Sequence, residues 1–247
     1  VGGSAAIRAG RVFVDEAGGR TRTGIALANP SDADASILLT LRDASGADLG
    51  RRTLALGPRR QTASFVSELF AGTPADLTGS LTFESSQPVA AITLRESLNA
   101  HGEPVYTTIP VADLNAAGSN EPAVFPHIAT GGGYTTQVLL VNNDSRPMRG
   151  RITFVASNGQ PLLVRLGPST IVETAYEVPL EGAYRVELDG GPETAVGYAV
   201  VTPDAGNNTP SGTAIFRLKA GGELVTEAGV AAIRATTASR IFVDYLG

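Results

Sequence analysis

Short apolar runs separated by clusters of Gly, Pro, Asn, Asp and Ser recur along the chain. Their spacing of roughly 8–12 residues is the pattern of an all-β sandwich and gives little room for helices. In YRVEL (184–188), Tyr184, Val186 and Leu188 alternate with Arg185 and Glu187, and SLTFE (80–84) repeats this with Leu81 and Phe83. Both predict strands with one wet face. GIALAN (24–29), PVAAITL (88–94) and AVGYAVV (195–201) lack polar alternation and predict interior strands covered on both faces. SDADA, DASGAD, SNGQ and PDAGNNTP supply turns through short polar side chains and glycines. FVSELF (65–70) is the one helical signal, a turn or two with Phe65 and Leu69 on one side. The expected fold is all-β: two Ig-like antiparallel β-sandwich domains in tandem.

Internal repetition divides the chain. AAIRAGRVFVD (5–15) returns as AAIRATTASRIFVD (231–244), with Val12 matching Ile241, Phe13 matching Phe242 and Asp15 matching Asp244. A weaker repeat relates residues 12–32 to 124–145, 37–49 to 150–162 and 88–111 to 193–218. It ends two apolar strands at an Asn, Asn29 and Asn142, and sets His127 in the place of Asp15. Such periodicity marks repeated structural units. The expected organisation is a first sandwich over 1–118 and a second over 119–229. Residues 115–122 link them, and 230–247 repeat the N-terminal strand. A chain opening on Val1 is expected to be a processed protein or a fragment.

Composition narrows the chemistry. The 247 residues include no Cys, no Trp and one Met, Met148, which excludes disulfides, thiolate zinc sites and Cys nucleophiles. Nineteen basic residues against 24 acidic give a net charge of −5, which argues against nucleic-acid binding. Lys219 is the only lysine, a usage that fits a GC-rich bacterial genome. No apolar run approaches the length needed to span a membrane. His101 and His127 make no HExxH or HxH spacing, and no GxSxG elbow is present. DASGAD (43–48) clusters oxygen ligands but reads better as a hairpin turn. The glycines of GGRTRTG (18–24) and TGGGY (130–134) lead into strands and do not form phosphate cradles. Arg51, Arg52, Arg59 and Arg60 read as a solvated rim. No catalytic residue, cofactor or metal site is expected.

RTGIALANPSD, GSLTFESSQPVAAITLR, VYTTIPVADL, FPHIATGGGYTTQVLLVNN, VGYAVVTPDAGNNTPSGTAIF and SRIFVDY resemble the tandem β-sandwich repeats of large secreted bacterial surface proteins. The resemblance implies an extracellular or cell-surface location and a structural or adhesive role. Two functions follow as expectations. In the first, the chain is a subunit of an extracellular bacterial fibre or repeat array joined head to tail to copies of itself. Arg240, Ile241, Phe242, Val243, Asp244 and Tyr245 form the donated strand, equivalent to Val12, Phe13, Val14 and Asp15. In the second, loops at the sandwich ends bind a glycan or surface, with Tyr106, Tyr134, Tyr176 and Tyr198 as stacking residues.

Overall fold

Strands make up almost all regular structure between residues 5 and 240, the part of the chain that the computed structural model describes. The first half runs β1 (Ile7–Ala17), β2 (Thr21–Ala28), β3 (Ala35–Asp43), β4 (Asp48–Leu56), β5 (Gln61–Phe65), α1 (Val66–Leu69), β6 (Asp76–Leu98), β7 (Pro104–Ile109) and β8 (Ala112–Asp113). The second runs β9 (Ala123–Thr130), β10 (Tyr134–Val141), β11 (Met148–Ala156), β12 (Val164–Leu166) and β13 (Ser169–Ile171). It continues with β14 (Glu173–Val178), β15 (Ala183–Leu188), β16 (Ala195–Pro203), β17 (Ser211–Ala220) and β18 (Glu223–Ala231). The expected all-β, antiparallel, sandwich-like fold is what forms, and FVSELF supplies the one helical turn among the described residues, α1.

In the first half β6 serves two layers. Its N-terminal part pairs with β1 and β3, and its C-terminal part with β2 and β7. The crossover falls at Pro88, which has no N–H to lose where the strand leaves one ladder for the other. Val12, Val14, Ile25, Leu27, Leu39, Leu81 and Phe83 fill the space between the layers. In the second half the layers are separate sheets, β14-β11-β16-β9 and β15-β10-β17-β18, closing on Phe125, Val138, Leu140, Ile152, Phe154 and Val201. The small β12–β13 hairpin forms its own ladder and packs Val164 into the same core.

The ladders show the same plan twice. Leu39 faces Phe83 across β3–β6 as Ile152 faces Val201 across β11–β16. Gly79 and Gly197 sit at matching points, where a Cβ would run into the carbonyl oxygen of Arg42 or Val155 on the neighbouring strand. Asn29 donates from Nδ2 to the carbonyls of Ala33 and Leu56, and Asn142 donates to those of Arg146 and Val178. These buried amides tie each strand end to the following turn and a neighbouring strand, a role no apolar residue fills. β8 and Ile233 are also equivalent. Ala112 pairs with Arg11 within β1, and Ile233 bridges Val124 near the start of β9.

Three sequence expectations are corrected. Residues 88–111 do not correspond to 193–218. The ladders match 79–85 with 197–203 and 90–98 with 211–219, because a loop interrupts the second half where β6 runs through. A period-two apolar pattern fits several registers, so it could not reveal that insertion. His127 does not take the place of Asp15. A bulge opposite Tyr198 adds a residue to β9, and Ala129 occupies that place. Thr23 Oγ1 exchanges hydrogen bonds with the backbone of Asp15, and Thr136 Oγ1 does so with Ala129. Finally, GIALAN, PVAAITL and AVGYAVV are covered on one face only. Their outward residues, including Ala26, Ile92, Leu94, Val196, Tyr198 and Val200, remain half-buried or exposed although they are apolar.

Candidate assembly interface

The four-stranded sheet β15-β10-β17-β18 has two covered faces. Val138 and Leu140 on β10 point into the second core. Leu139 between them points the other way and joins Phe13, Ile109, Ala183 and Ile215 in a separate apolar cluster. Phe13 and Ile109 come from the first half, so this cluster is the dry centre of a junction between the halves. Every residue of β10 from Thr136 to Val141 is buried as a result, whereas its counterpart β2 alternates buried and half-buried.

Charged groups flank this centre on both sides. Arg95 is 1% exposed. Its Nε donates to Asp15 Oδ2 at 2.9 Å, its Nη1 to Glu227 Oε2 at 2.7 Å and to Ser97 Oγ at 2.9 Å, and its Nη2 to Gln137 Oε1 at 3.3 Å. Arg185 Nη1 donates to the other oxygen of Asp15 at 2.8 Å, and Arg217 lies 3.6 Å from Glu227. Burial alone would depress the Arg95 pKa, but the Glu227 and Asp15 carboxylates outweigh it and hold the guanidinium above its ordinary value. Such a network is tolerated only because each buried charge meets an opposite one.

On the opposite flank, Glu181 pairs with Arg11 at 3.3 Å and Arg42 at 3.0 Å. Arg11 Nη1 donates to the carbonyl of Asn142 at 2.6 Å, and Ser80 Oγ to that of Glu181 at 2.6 Å. Burial pulls the Arg11 pKa below its usual value. The DASGAD segment is a hairpin turn as expected, with Asp43 Oδ1 accepting from the Ser45 and Ala47 N–H groups. It also docks on the second half, because the Ala183 N–H donates to the Ala44 carbonyl at 3.1 Å. Gly46 and Gly182 allow the backbones to approach this closely.

The equivalent face in the first half, on the outside of β5-β2-β6-β7, is uncovered. Gly24, Ala26, Ala63, Phe65, Ile92, Leu94 and Tyr106 line a shallow apolar groove of about 220 Å³. Leu94 is 39% exposed and Tyr106 52%. Arg22 lies 3.8 Å over the Phe65 ring and pairs with Glu96 at 2.6 Å, while the Tyr106 hydroxyl donates to Glu96 at 2.9 Å.

The sequence-predicted strand residues separate by direction. Val12 and Val14 belong to the first core, Phe13 to the apolar junction and Asp15 to the charge network. Arg240 is exposed, and Ile241, Phe242, Val243, Asp244 and Tyr245 lie outside the described residues. The four tyrosines do not form one site: Tyr176 is buried at 3% exposure, Tyr134 and Tyr198 are half-buried, and Tyr106 stands on the groove. Arg51 pairs with Asp48 and Arg59 with Asp32 on the surface, as a rim would. His101 approaches Glu223 at 3.2 Å, and His127 packs edge-on against Phe216 with ring centroids 4.9 Å apart. The residue that sequence reading missed is Arg95. Its signal was an Arg-Glu pair inside an otherwise apolar strand.

No protein-family profile and no curated protein sequence matches the chain. Among solved structures, a Thermotoga maritima protein (1070) is similar at 16% identity and a TM-score of 0.36, over 43% of this chain and 93% of its own. An anti-sigma factor domain-containing protein is 7% identical with a TM-score of 0.21, over 86% of this chain and 79% of its own. A lectin from Pleurotus ostreatus is 12% identical with a TM-score of 0.22, over 95% and 80%. Nothing of what those proteins do is carried over to this chain. Among the described residues, no helix is long and apolar enough to cross a membrane, and no group of three His, Asp or Glu is placed to hold a metal.

Proposed function

We propose that this chain is a structural building block of an extracellular bacterial fibre or tandem-repeat surface array. The observation that carries the reading is the repeated plan joined by a buried, ion-paired junction. Two units that share a dry apolar centre and several fully buried charges behave as one stiff rod segment, which suits load-bearing or spacing. The opening strand recurs in the sequence at 240–245, as in the repeats of large bacterial surface proteins that the chain resembles. Joining by strand donation requires Arg240–Tyr245 to enter a slot like that of Val12–Asp15. That slot lies against β6 and is filled here by the chain's own strand, so donation entails displacing a buried strand. Removing residues 240–247 tests this route. Light scattering should show loss of concentration-dependent multimers, and unchanged multimers would exclude donation.

The glycan-binding alternative rests on Tyr106 and Phe65 at the groove. Its lining is mostly Gly, Ala, Ile and Leu, which offer few hydrogen-bond partners to a sugar. A glycan array with signal above background that disappears in Tyr106→Ala would favour it instead.

A further inference from the structure

The two halves carry equivalent faces, and each half has one face covered and one bare. The first half uses an outward face built from β1, β6 and β7 to cover the second half's sheet; its anchors are Phe13, Asp15, Arg95 and Ile109. By ladder position, Ala129, Phe216 and Val230 of the second half correspond to Asp15, Arg95 and Ile109. These residues border an outward face that also holds Val124, Pro126, Val155, Val196, Tyr198 and Val200. All six of those are half-buried or exposed, and Val196 is 42% exposed.

The other bare face is the groove of the first half. Its residues correspond to the covered face of the second half: Gly24 to Gln137, Ala26 to Leu139, Ala63 to Arg185, Leu94 to Ile215 and Tyr106 to Glu227. The bare faces are therefore one of each kind, a covering face on the second half and a receiving face on the first.

The residues at these positions differ from those of the internal junction in a matched way. In the internal junction Arg95 meets Glu227; at the corresponding bare positions stand Phe216 and Tyr106. Asp15 meets Arg185 internally; the corresponding residues are Ala129, which is buried, and the exposed Ala63, and neither is charged. Where the internal junction has a charged pair, the equivalent positions of the bare faces hold two aromatic residues. Phe216 and Tyr106 thus form an aromatic match between residues that lie on different faces of one chain.

We propose that the second half of one copy of this chain covers the groove of the first half of another copy, with Phe216 against Tyr106. The inference rests on the building-block reading above and gives it a joint made by stacking sheet faces, with no donated strand. The contact joins two different surfaces, so repeating it yields an open head-to-tail stack and no closed dimer. It also explains why strands predicted to be buried on both faces are bare on one: their outer apolar residues are interface residues.

The test is analytical ultracentrifugation of the full chain over a wide concentration range. Wild type should form a ladder of multimers. Tyr106→Glu and Phe216→Arg each place an unpaired charge in the joint and should weaken association by about a hundredfold or more. Combining the two substitutions recreates the Arg–Glu pair of the internal junction and should restore the ladder. The control is Thr53→Glu, at an exposed position of β4, a strand that belongs to neither bare face, which should leave the ladder unchanged. Multimers unaffected by either single variant would overturn the stacking joint while leaving the building-block reading intact. A wild-type chain that stays monomeric throughout would overturn both.

Discussion

The charge network around Arg95 sets how firmly the two halves hold together, and replacing Arg95 with Met tests it. The substitution keeps most of the side-chain volume and removes the guanidinium. Asp15 retains Arg185 at 2.8 Å, but Glu227, itself 5% exposed, retains only Arg217 at 3.6 Å. Removing one partner of a buried ion pair costs about 3–5 kcal/mol because the other charge stays behind. Arg185 spares Asp15 much of that, so a loss of about 3 kcal/mol is expected, dominated by Glu227. Urea denaturation followed by far-ultraviolet circular dichroism measures it. The double variant Arg95→Met, Glu227→Leu should recover most of the loss, since an apolar pair of similar volume is often no worse than a buried ion pair. A single-variant loss under about 0.5 kcal/mol, the range of ordinary surface substitutions, would refute a buried network in the junction.

Other expectations can be checked in the same denaturation experiment. Asn142→Ala should destabilise by about 1–3 kcal/mol by orphaning the buried Val178 carbonyl, and Asn29→Ala should do the same at Leu56. Gly197→Ala should cost at least about 1–3 kcal/mol, because its Cβ meets the Val155 carbonyl, and Gly79→Ala should match it if the two halves share their plan. Burial holds the Glu16 carboxyl above its usual range despite the hydrogen bond from the Thr23 N–H. The folded state therefore keeps that proton where the unfolded chain releases it, and this contribution to stability falls as pH rises from about 4.5 towards the raised value. Glu16→Gln should remove that slope from a plot of stability against pH.

How much of this could be read in the sequence depended on whether the signal was local. Alternation in YRVEL and SLTFE marked their inward residues correctly, since Val186, Leu188, Leu81 and Phe83 are all buried. The two asparagines closing GIALAN and VLLVN were visible as a repeat, although not as the hydrogen-bonding posts they are. Correspondence between the later strands was lost because a loop between β16 and β17 shifts the register, and apolar alternation does not number its own strands. The bulge that carries His127 away from the Asp15 position was hidden for the same reason. Strands such as PVAAITL looked doubly covered because their outer faces are apolar, and what covers such a face depends on a partner that the strand's own sequence does not specify. Arg95 shows the reverse case. A charge in an apolar strand suggests an exposed edge, yet here it is buried against Asp15, 80 positions before it, and Glu227, 132 positions after it.

Disulfide trapping tests the stacking joint most directly, because the chain has no cysteine of its own. Tyr106→Cys and Phe216→Cys are prepared as separate single variants and oxidised alone and mixed. A stacking joint gives a covalent dimer only in the mixture, with each variant alone staying monomeric on a non-reducing gel, and a double variant giving an open ladder. Equal dimer formation by either variant alone, or none in the mixture, would contradict it.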